Sequence, residues 1–276
     1  MRLLWQTRSN PLAWWWAFLT LASSANIALW FVLYWEFKGH AIKSANGASN
    51  MQLMVFLSAA YVFGCAFRSV LPRADVQRIC LFDTWLSSVV VGRSVATVAE
   101  MCFAMQWAIA LYQLANIAAV ETTLYVAWAV VPLILVAQCC SWYGVLTTNC
   151  LANAVENSIW AVAFLLVGIG LCLLLPGYDG PLRLGLIVAI IGIAGYLAFL
   201  VAVDVPMYLN RWRLGRAVGH STFSPLEGLR DARTRWIVTH DFAQWRGEIA
   251  WMSLYFTAAV WASLALCFAY AVIAVH

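Results

Sequence analysis

The stretch DTWLSSVVVGRSVATVAEMCFAMQW, from Asp83 to Trp107, decides the fold because it is an apolar segment with ionisable residues inside it. An α-helix has 3.6 residues per turn, so Arg93, Thr97, Glu100 and Trp107 lie along roughly one face. Each residue advances the helix by about 1.5 Å, which sets Glu100 about 10 Å deeper than Arg93. This spacing predicts a membrane helix with a carboxylate in its interior.

The composition of the whole chain agrees with this reading. Of the 276 residues, 64% are hydrophobic and only 10% are charged, whereas soluble domains contain about 25% charged residues. The chain is therefore predicted to be a polytopic membrane protein. Its net charge of +4 does not indicate nucleic-acid binding, because the basic residues are distributed among the loops between apolar segments.

The apolar segments predict an all-α bundle of seven transmembrane helices that forms a single integral membrane domain over residues 1–276. The predicted spans are residues 11–34, 51–71, 92–119, 124–144, 151–175, 182–205 and 249–275. Pro206 is expected to end the sixth span. Residues 206–248 then form the only sizeable segment outside the membrane.

The segment 206–248 contains a signal for one further helix. Ser224, Pro225 and Glu227 form a capping-box pattern, which predicts a helix of about four turns from Pro225 to Thr239 that includes Trp236 and Ile237. Apolar residues and arginines alternate along it, as is typical of an amphipathic helix on a membrane surface. We expect this helix to lie on the cytosolic leaflet.

The distribution of basic residues predicts the orientation. With the N-terminus in the cytosol and the C-terminus outside, all of the 16 Lys and Arg residues except Lys38, Lys43 and Arg183 lie on the cytosolic side. The expected location is a bacterial cytoplasmic (inner) membrane. Besides the lipid bilayer, the open possibilities for partners are a small polar or anionic substrate, a homo-oligomer and a larger membrane complex.

This orientation gathers the unusual polar residues near one side of the membrane. Charges in the hydrocarbon region cost several kcal/mol unless they are paired or hydrated, so each is a candidate for a binding site. Glu100 is the foremost candidate, with Arg93 or Arg68 as its expected partner. The predicted substrate-binding residues are Arg68, Asp83, Arg93, Glu100, Asn149, Asn153, Glu156, Asn157 and Glu248.

Structural roles compete with each of these assignments. Arg68, Asp204 and Glu248 lie near the ends of spans, where snorkelling or helix capping explains a charge. Glu100 can belong to a buried ion pair that only joins helices. The face from Asn149 to Trp160 can form hydrogen bonds between helices without binding a ligand.

The motifs of common membrane enzymes and cofactor proteins are absent from the sequence. Four histidines occur without the spacing of a metal site, and the eight cysteines include no CxxC pair. No metal and no cofactor is predicted. No GxSxG, HExxH or P-loop motif identifies a catalytic residue, and whether the protein is an enzyme is left open.

Three functions fit these observations. The first is a transporter or binding protein for a small polar or anionic molecule, with a cavity open to the cytosol and a proton titrating on Glu100. The second is a membrane-embedded enzyme that acts on a lipid or isoprenoid at the cytosolic leaflet, with Glu100 or Glu156 as acid or base. The third is an accessory subunit of a larger membrane complex.

Overall fold

Seven helices that are long and apolar enough to cross a membrane dominate the computed structural model, which describes residues 10–41, 48–219 and 221–275. The predictions of an all-α bundle and of an integral multi-pass membrane protein are confirmed. The first five spans contain α1 (Pro11–Ala41), α2 (Ala48–Val70), α3 (Val89–Ala118), α4 (Glu121–Thr147) and α5 (Cys150–Leu174). The sixth span joins α6 (Gly180–Phe199) to α7 (Val205–Ala217), and the seventh joins α9 (Phe242–Leu254) to α10 (Val260–Val275).

The sixth span is longer than predicted, because Pro206 does not end it. A π-helical turn, Leu200–Asp204, connects α6 to α7, and Pro206 stands in the first turn of α7. A proline is tolerated there, where no helical N–H is required of it, and the wider π turn absorbs the change in hydrogen bonding. The continuous helix Gly180–Ala217 has 38 residues, about 57 Å, so part of it extends beyond a hydrocarbon core of about 30 Å.

The seventh span begins earlier than predicted, at Phe242 rather than residue 249, because the Asp241 side chain caps it by accepting a hydrogen bond from the Ala243 N–H at 3.0 Å. A second π-helical turn, Tyr255–Ala259, interrupts this span. The Nδ2 of Asn26 donates to the Phe256 carbonyl oxygen in that turn at 3.0 Å. A side chain from the first span thus donates a hydrogen bond to a backbone carbonyl group of the π turn.

The connecting helix is shorter than predicted. The capping box is present, since Ser224 and Glu227 exchange hydrogen bonds, but the helix, α8, spans only Pro225–Thr234. The chain then becomes extended: β3 (Ile237–Val238) pairs in parallel with β2 (Ile79–Cys80), which pairs antiparallel with β1 (Arg73–Ala74). The prediction of a four-turn helix was wrong because backbone pairing to another loop competes with helix continuation, which periodicity alone does not show. Its place on a leaflet stays a prediction.

The chain divides into two units, Met1–Ala99 with Leu229–Cys267 and Glu100–Gly228 with Phe268–His276; we call them unit 1 and unit 2. In unit 1, α1 packs along α2. A Cβ at Gly64 on α2 would lie only 2.9 Å from the Cβ of Ala99, so the glycine allows α2 and α3 to approach closely. Unit 1 also holds the three short strands.

Unit 2 is built on the pairing of α4 with α5, against which α6 and α7 pack. Gly144 permits the closest approach, because a Cβ there would lie 2.6 Å from the Asn153 Oδ1. At the other end of the pair, Thr123 Oγ1 donates to the Gly170 carbonyl oxygen at 3.3 Å. The expectation of one membrane domain over residues 1–276 stays a prediction.

Candidate functional site

Three carboxylates from three different spans of unit 2 act on one tyrosine. Tyr196 on α6 interacts electrostatically with Asp204, Glu100 and Glu156. Glu100, Glu156 and Asp204 are 6%, 7% and 9% exposed, and they come from the third, fifth and sixth spans. We call Glu100, Glu156, Tyr196 and Asp204 the carboxylate cluster. Tertiary packing therefore brings acidic groups together that are at least 48 residues apart in sequence.

Side-chain amides contact two of these carboxylates. Gln138 on α4, fully buried, donates from Nε2 to the Glu100 Oε2 at 2.5 Å. Asn153 donates from Nδ2 to the Glu156 Oε2 at 3.1 Å. The Asn153 Oδ1, in contrast, is buried and accepts no hydrogen bond from the part of the chain that the structure describes. A hydrogen-bond acceptor that lies beside a carboxylate and receives no hydrogen bond is suited to a ligand that donates hydrogen bonds.

Aromatic rings form the apolar side of the carboxylate cluster. Phe164 packs against Tyr196 with ring centroids 5.1 Å apart, and against Trp160 and Trp107 at 5.8 and 5.9 Å. Trp107 is 6% exposed, and its Nε1 has no hydrogen-bond partner among the described residues. These ring faces lower the local polarity and are themselves attractive to cations.

The π-helical turn Leu200–Asp204 delivers the third carboxylate. Asp204 is the last residue of this turn, one residue before α7 begins. Single π turns within α-helices shift the facing of the residues that follow and occur frequently at functional sites. The turn thus places a carboxylate on the side of the sixth span that carries Tyr196.

The predicted polar face of the fifth span is partly confirmed. Asn153, Glu156 and Trp160 are buried on α5, and Asn157 is half-buried. Asn149 instead precedes the helix and caps it, accepting a hydrogen bond from the Leu151 N–H at 3.0 Å. Its side chain therefore has a structural role in starting the helix.

The other four predicted site residues belong to unit 1. Arg68, Arg93 and Glu248 are buried there, whereas Asp83 is exposed and accepts a hydrogen bond from the Trp236 Nε1 at 3.0 Å. The predicted site residues thus fall into two groups, each within one unit. Whether these residues bind a substrate stays a prediction.

In unit 1, arginines surround a single aspartate in the connection between the second and third spans. Arg73 is 1% exposed; its Nε donates to the Asp75 Oδ1 at 2.6 Å and its Nη1 to the Ser87 carbonyl oxygen at 2.8 Å. The Nη2 of Arg68 lies 3.6 Å from the Asp75 Oδ2. Burial alone would raise the pKa of the Asp75 carboxyl, but Arg73, Arg68 and Arg93 together outweigh it and hold that pKa below its ordinary value.

Glu248 lies in the same unit as a hydrogen-bond acceptor. Its Oε2 accepts from the Trp251 Nε1 at 2.7 Å and its Oε1 from the Gln77 Nε2 at 3.0 Å. The Arg68 guanidinium stands over the Trp251 ring, 6.0 Å from its centroid. Trp251 therefore contacts an arginine with its face and a carboxylate with its edge.

Sequence reasoning missed several of these residues. The residues that were given no role in the predicted site are Gln138, Tyr196, Arg73 and Asp75. Asp75 had a local signal, since it stands two residues after an arginine in a short polar loop. Tyr196 had none, because a lone tyrosine in an apolar span is usually a packing residue.

An open cleft of about 390 Å³ lies at the end of the α4–α5 pair in unit 2. It is lined by Cys139, Cys140, Tyr143, Asn149, Leu151, Ala152 and Val155. Cys140 also interacts electrostatically with Glu156. Across the described ranges, no group of three or more His, Cys, Asp or Glu residues is arranged to hold a metal ion.

No protein-family model matches this chain, and neither a curated protein nor a solved structure matches it.

Proposed function

We propose that the protein is a transporter or solute-binding protein of the membrane, and that its carboxylate cluster binds a small cationic solute or a proton. The observation that carries this proposal is the convergence of Glu100, Glu156 and Asp204 on Tyr196. Carboxylates inside membrane spans are costly to keep and line the pathways of protons and ions in membrane proteins.

The chemistry of the cluster favours a cation, whereas a small polar or anionic molecule is expected from the sequence. The three carboxylates supply oxygens that accept hydrogen bonds, and the Asn153 Oδ1 adds an acceptor that has no donor among the described residues. Phe164 packs on Tyr196 of the cluster, and Trp107 and Trp160 pack on Phe164, so aromatic rings adjoin the cluster. Oxygen acceptors combined with aromatic faces suit an ammonium group, which is bound by hydrogen bonds and cation–π attraction together.

The proposal includes the orientation derived from the sequence, with the N-terminus in the cytosol of a bacterial inner membrane. The bias of basic residues supports it. Glu156 lies in the second turn of α5 and Asp204 precedes α7, so both are near the ends that this orientation assigns to the cytosol. A solute would then enter the cluster from the cytosolic side.

Binding of cations to the purified protein tests the proposal. A panel of small organic ammonium ions is added to the full-length protein in detergent, and thermal unfolding is followed at several pH values. A cation that binds the native state raises the unfolding temperature in proportion to RT ln(1 + [L]/Kd). We expect at least one cation to do so, and to do so less at acidic pH, where protons compete for the carboxylates.

Amide variants connect that response to the cluster. Glu100→Gln and Glu156→Gln keep the shape and hydrogen bonding of each side chain but remove its charge, and each is expected to remain folded and to lose the response. The matched control is Glu121→Gln, because Glu121 is an exposed carboxylate of the same unit. A cation response that survives in both cluster variants would refute this assignment of the site.

One observation favours a second function, an enzyme acting on a lipid or isoprenoid. The cleft lined by Cys140, Tyr143 and Val155 is open and mainly apolar, and Glu156 interacts electrostatically with its wall at Cys140. An acyl or prenyl chain would fit such a surface, with Glu156 as acid or base. Incubation with lipid extracts distinguishes the two: chemical turnover that requires Glu156 supports the enzyme, and cation binding without turnover supports the transporter.

A further inference from the structure

Arg68 is a buried cation with one donor, its Nε, that the described part of the protein leaves without a hydrogen bond. It lies in the last turn of α2, and its side chain is 5% exposed. Its Nε is buried and has no hydrogen-bond partner in the part of the chain that the structure describes. Its closest carboxylate contact, to Asp75 at 3.6 Å, is longer than a hydrogen bond. Buried guanidinium donors left in this state are costly, so a further partner is expected.

The neighbouring charges indicate that this partner is an anion. Asp75 already accepts a short hydrogen bond from Arg73, and it is also acted on electrostatically by Arg68 and Arg93. Three guanidinium groups therefore act on this one carboxylate. Glu248 in the same unit accepts hydrogen bonds from Trp251 and Gln77.

The surroundings also hold Arg68 in one orientation. Trp251 covers one face of the guanidinium, with the ring centroid 6.0 Å away. Stacking of this kind leaves the edge of the guanidinium, where its N–H groups point, for a ligand. A planar guanidinium edge matches two oxygens of a phosphate or a carboxylate in a bidentate pair.

We propose that Arg68, supported by Arg73 and Arg93, binds a phosphate-type oxyanion at the end of the second span. This site lies in unit 1 and is independent of the carboxylate cluster. Its position in the last turn of a membrane helix is compatible with two sources of the same chemistry. One is the headgroup of an anionic phospholipid, and the other is a phosphate group dissolved in the aqueous phase.

The test measures thermal unfolding of the full-length protein under two arrangements. In detergent, sodium phosphate is compared with sodium chloride at equal ionic strength. In nanodiscs, phosphatidylcholine alone is compared with a mixture that contains phosphatidylglycerol. A response to phosphate assigns a soluble source, and a response to phosphatidylglycerol alone assigns a lipid headgroup. Stabilisation by neither probe would overturn the proposal.

Three variants tie the response to Arg68. Arg68→Gln removes the charge and is expected to weaken binding roughly tenfold or more, since a charge-assisted bidentate pair is lost. Arg68→Lys keeps the buried charge but not the planar pair of donors, so it should also bind more weakly than the parent and serves if the Gln variant does not fold. Arg183→Gln, at an exposed arginine of unit 2, should respond as the parent does. Parental affinity in the Arg68 variants would contradict the assignment.

Discussion

The buried ion pair between Arg78 and Asp231 should hold the connecting segment of unit 1 in place. The Arg78 Nε donates to the Asp231 Oδ2 at 2.9 Å, and the two side chains are 1% and 13% exposed. Asp231→Asn removes the negative charge of this pair and leaves the buried Arg78 guanidinium without that counter-charge. Breaking a buried pair in this way typically costs about 3–5 kcal/mol. We expect the free energy of local unfolding of the segment around β3 to fall by an amount in this range.

Hydrogen–deuterium exchange of peptides covering residues 229–240 measures this loss locally. A loss of about 3 kcal/mol raises exchange through local opening on the order of a hundredfold, because each 1.4 kcal/mol is a factor of ten. Arg235 provides the matched control, since it pairs with the same Asp231 at 3.4 Å but is 56% exposed. Arg235→Gln should change stability by less than about 1 kcal/mol. Equal exchange in the two variants would refute the reasoning and assign the anchoring to the β2–β3 backbone pairing alone.

Arg73 and Asp75 are both expected to contribute to the stability of the folded protein. A Cβ at Gly92 would overlap the Arg73 side chain, so Gly92→Ala should lower the free energy of unfolding by about 1–3 kcal/mol. The control is Gly192→Ala, which should be neutral or slightly stabilising because Gly192 has open space around it. The pKa of Asp75 lies below its ordinary value of 3.8, so its carboxylate stabilises the protein above that pH and the contribution disappears as the pH falls below it. The stability difference between the parent and Asp75→Asn should therefore shrink on acidification, and a difference independent of pH would contradict the role of the charge.

The existence of the seven spans could be predicted because each is a long and predominantly apolar segment, which can be recognised without tertiary information. Their ends could not. Pro206 normally stops a helix, but the π turn before it allows the sixth span to continue. Trp236 and Ile237 fit a helical pattern, yet Ile237 is drawn into pairing with Ile79. The first error arises from a change in helical hydrogen bonding beside the proline. The second arises from pairing with a strand that is distant in sequence.

The candidate site could be predicted only in part from the sequence. Glu100 and Glu156 stand out as carboxylates in apolar helices, and helical spacing places Asn153 beside Glu156. Tyr196 gives no such signal, because only packing brings it to carboxylates on other spans. Nor does spacing show that Arg68 faces Asp75 across a turn of the chain. Residues within one helix could be grouped from the sequence, and groups drawn from several elements could not.

The most direct test of the proposed carboxylate cluster is an infrared difference titration of the purified, lipid-reconstituted protein, which observes protonation of buried carboxyl groups without knowledge of the solute. A carboxylate that exchanges a proton gives a carboxylic-acid band that appears as the pH falls. Addition of a bound cation should suppress the part of this band that comes from the cluster, because cation and proton compete for the same oxygens. We predict that this cation-sensitive part is present in the parent protein, reduced in Glu100→Gln and in Glu156→Gln, and unchanged in Glu121→Gln. A spectrum in which neither cluster variant alters the titration would contradict the account.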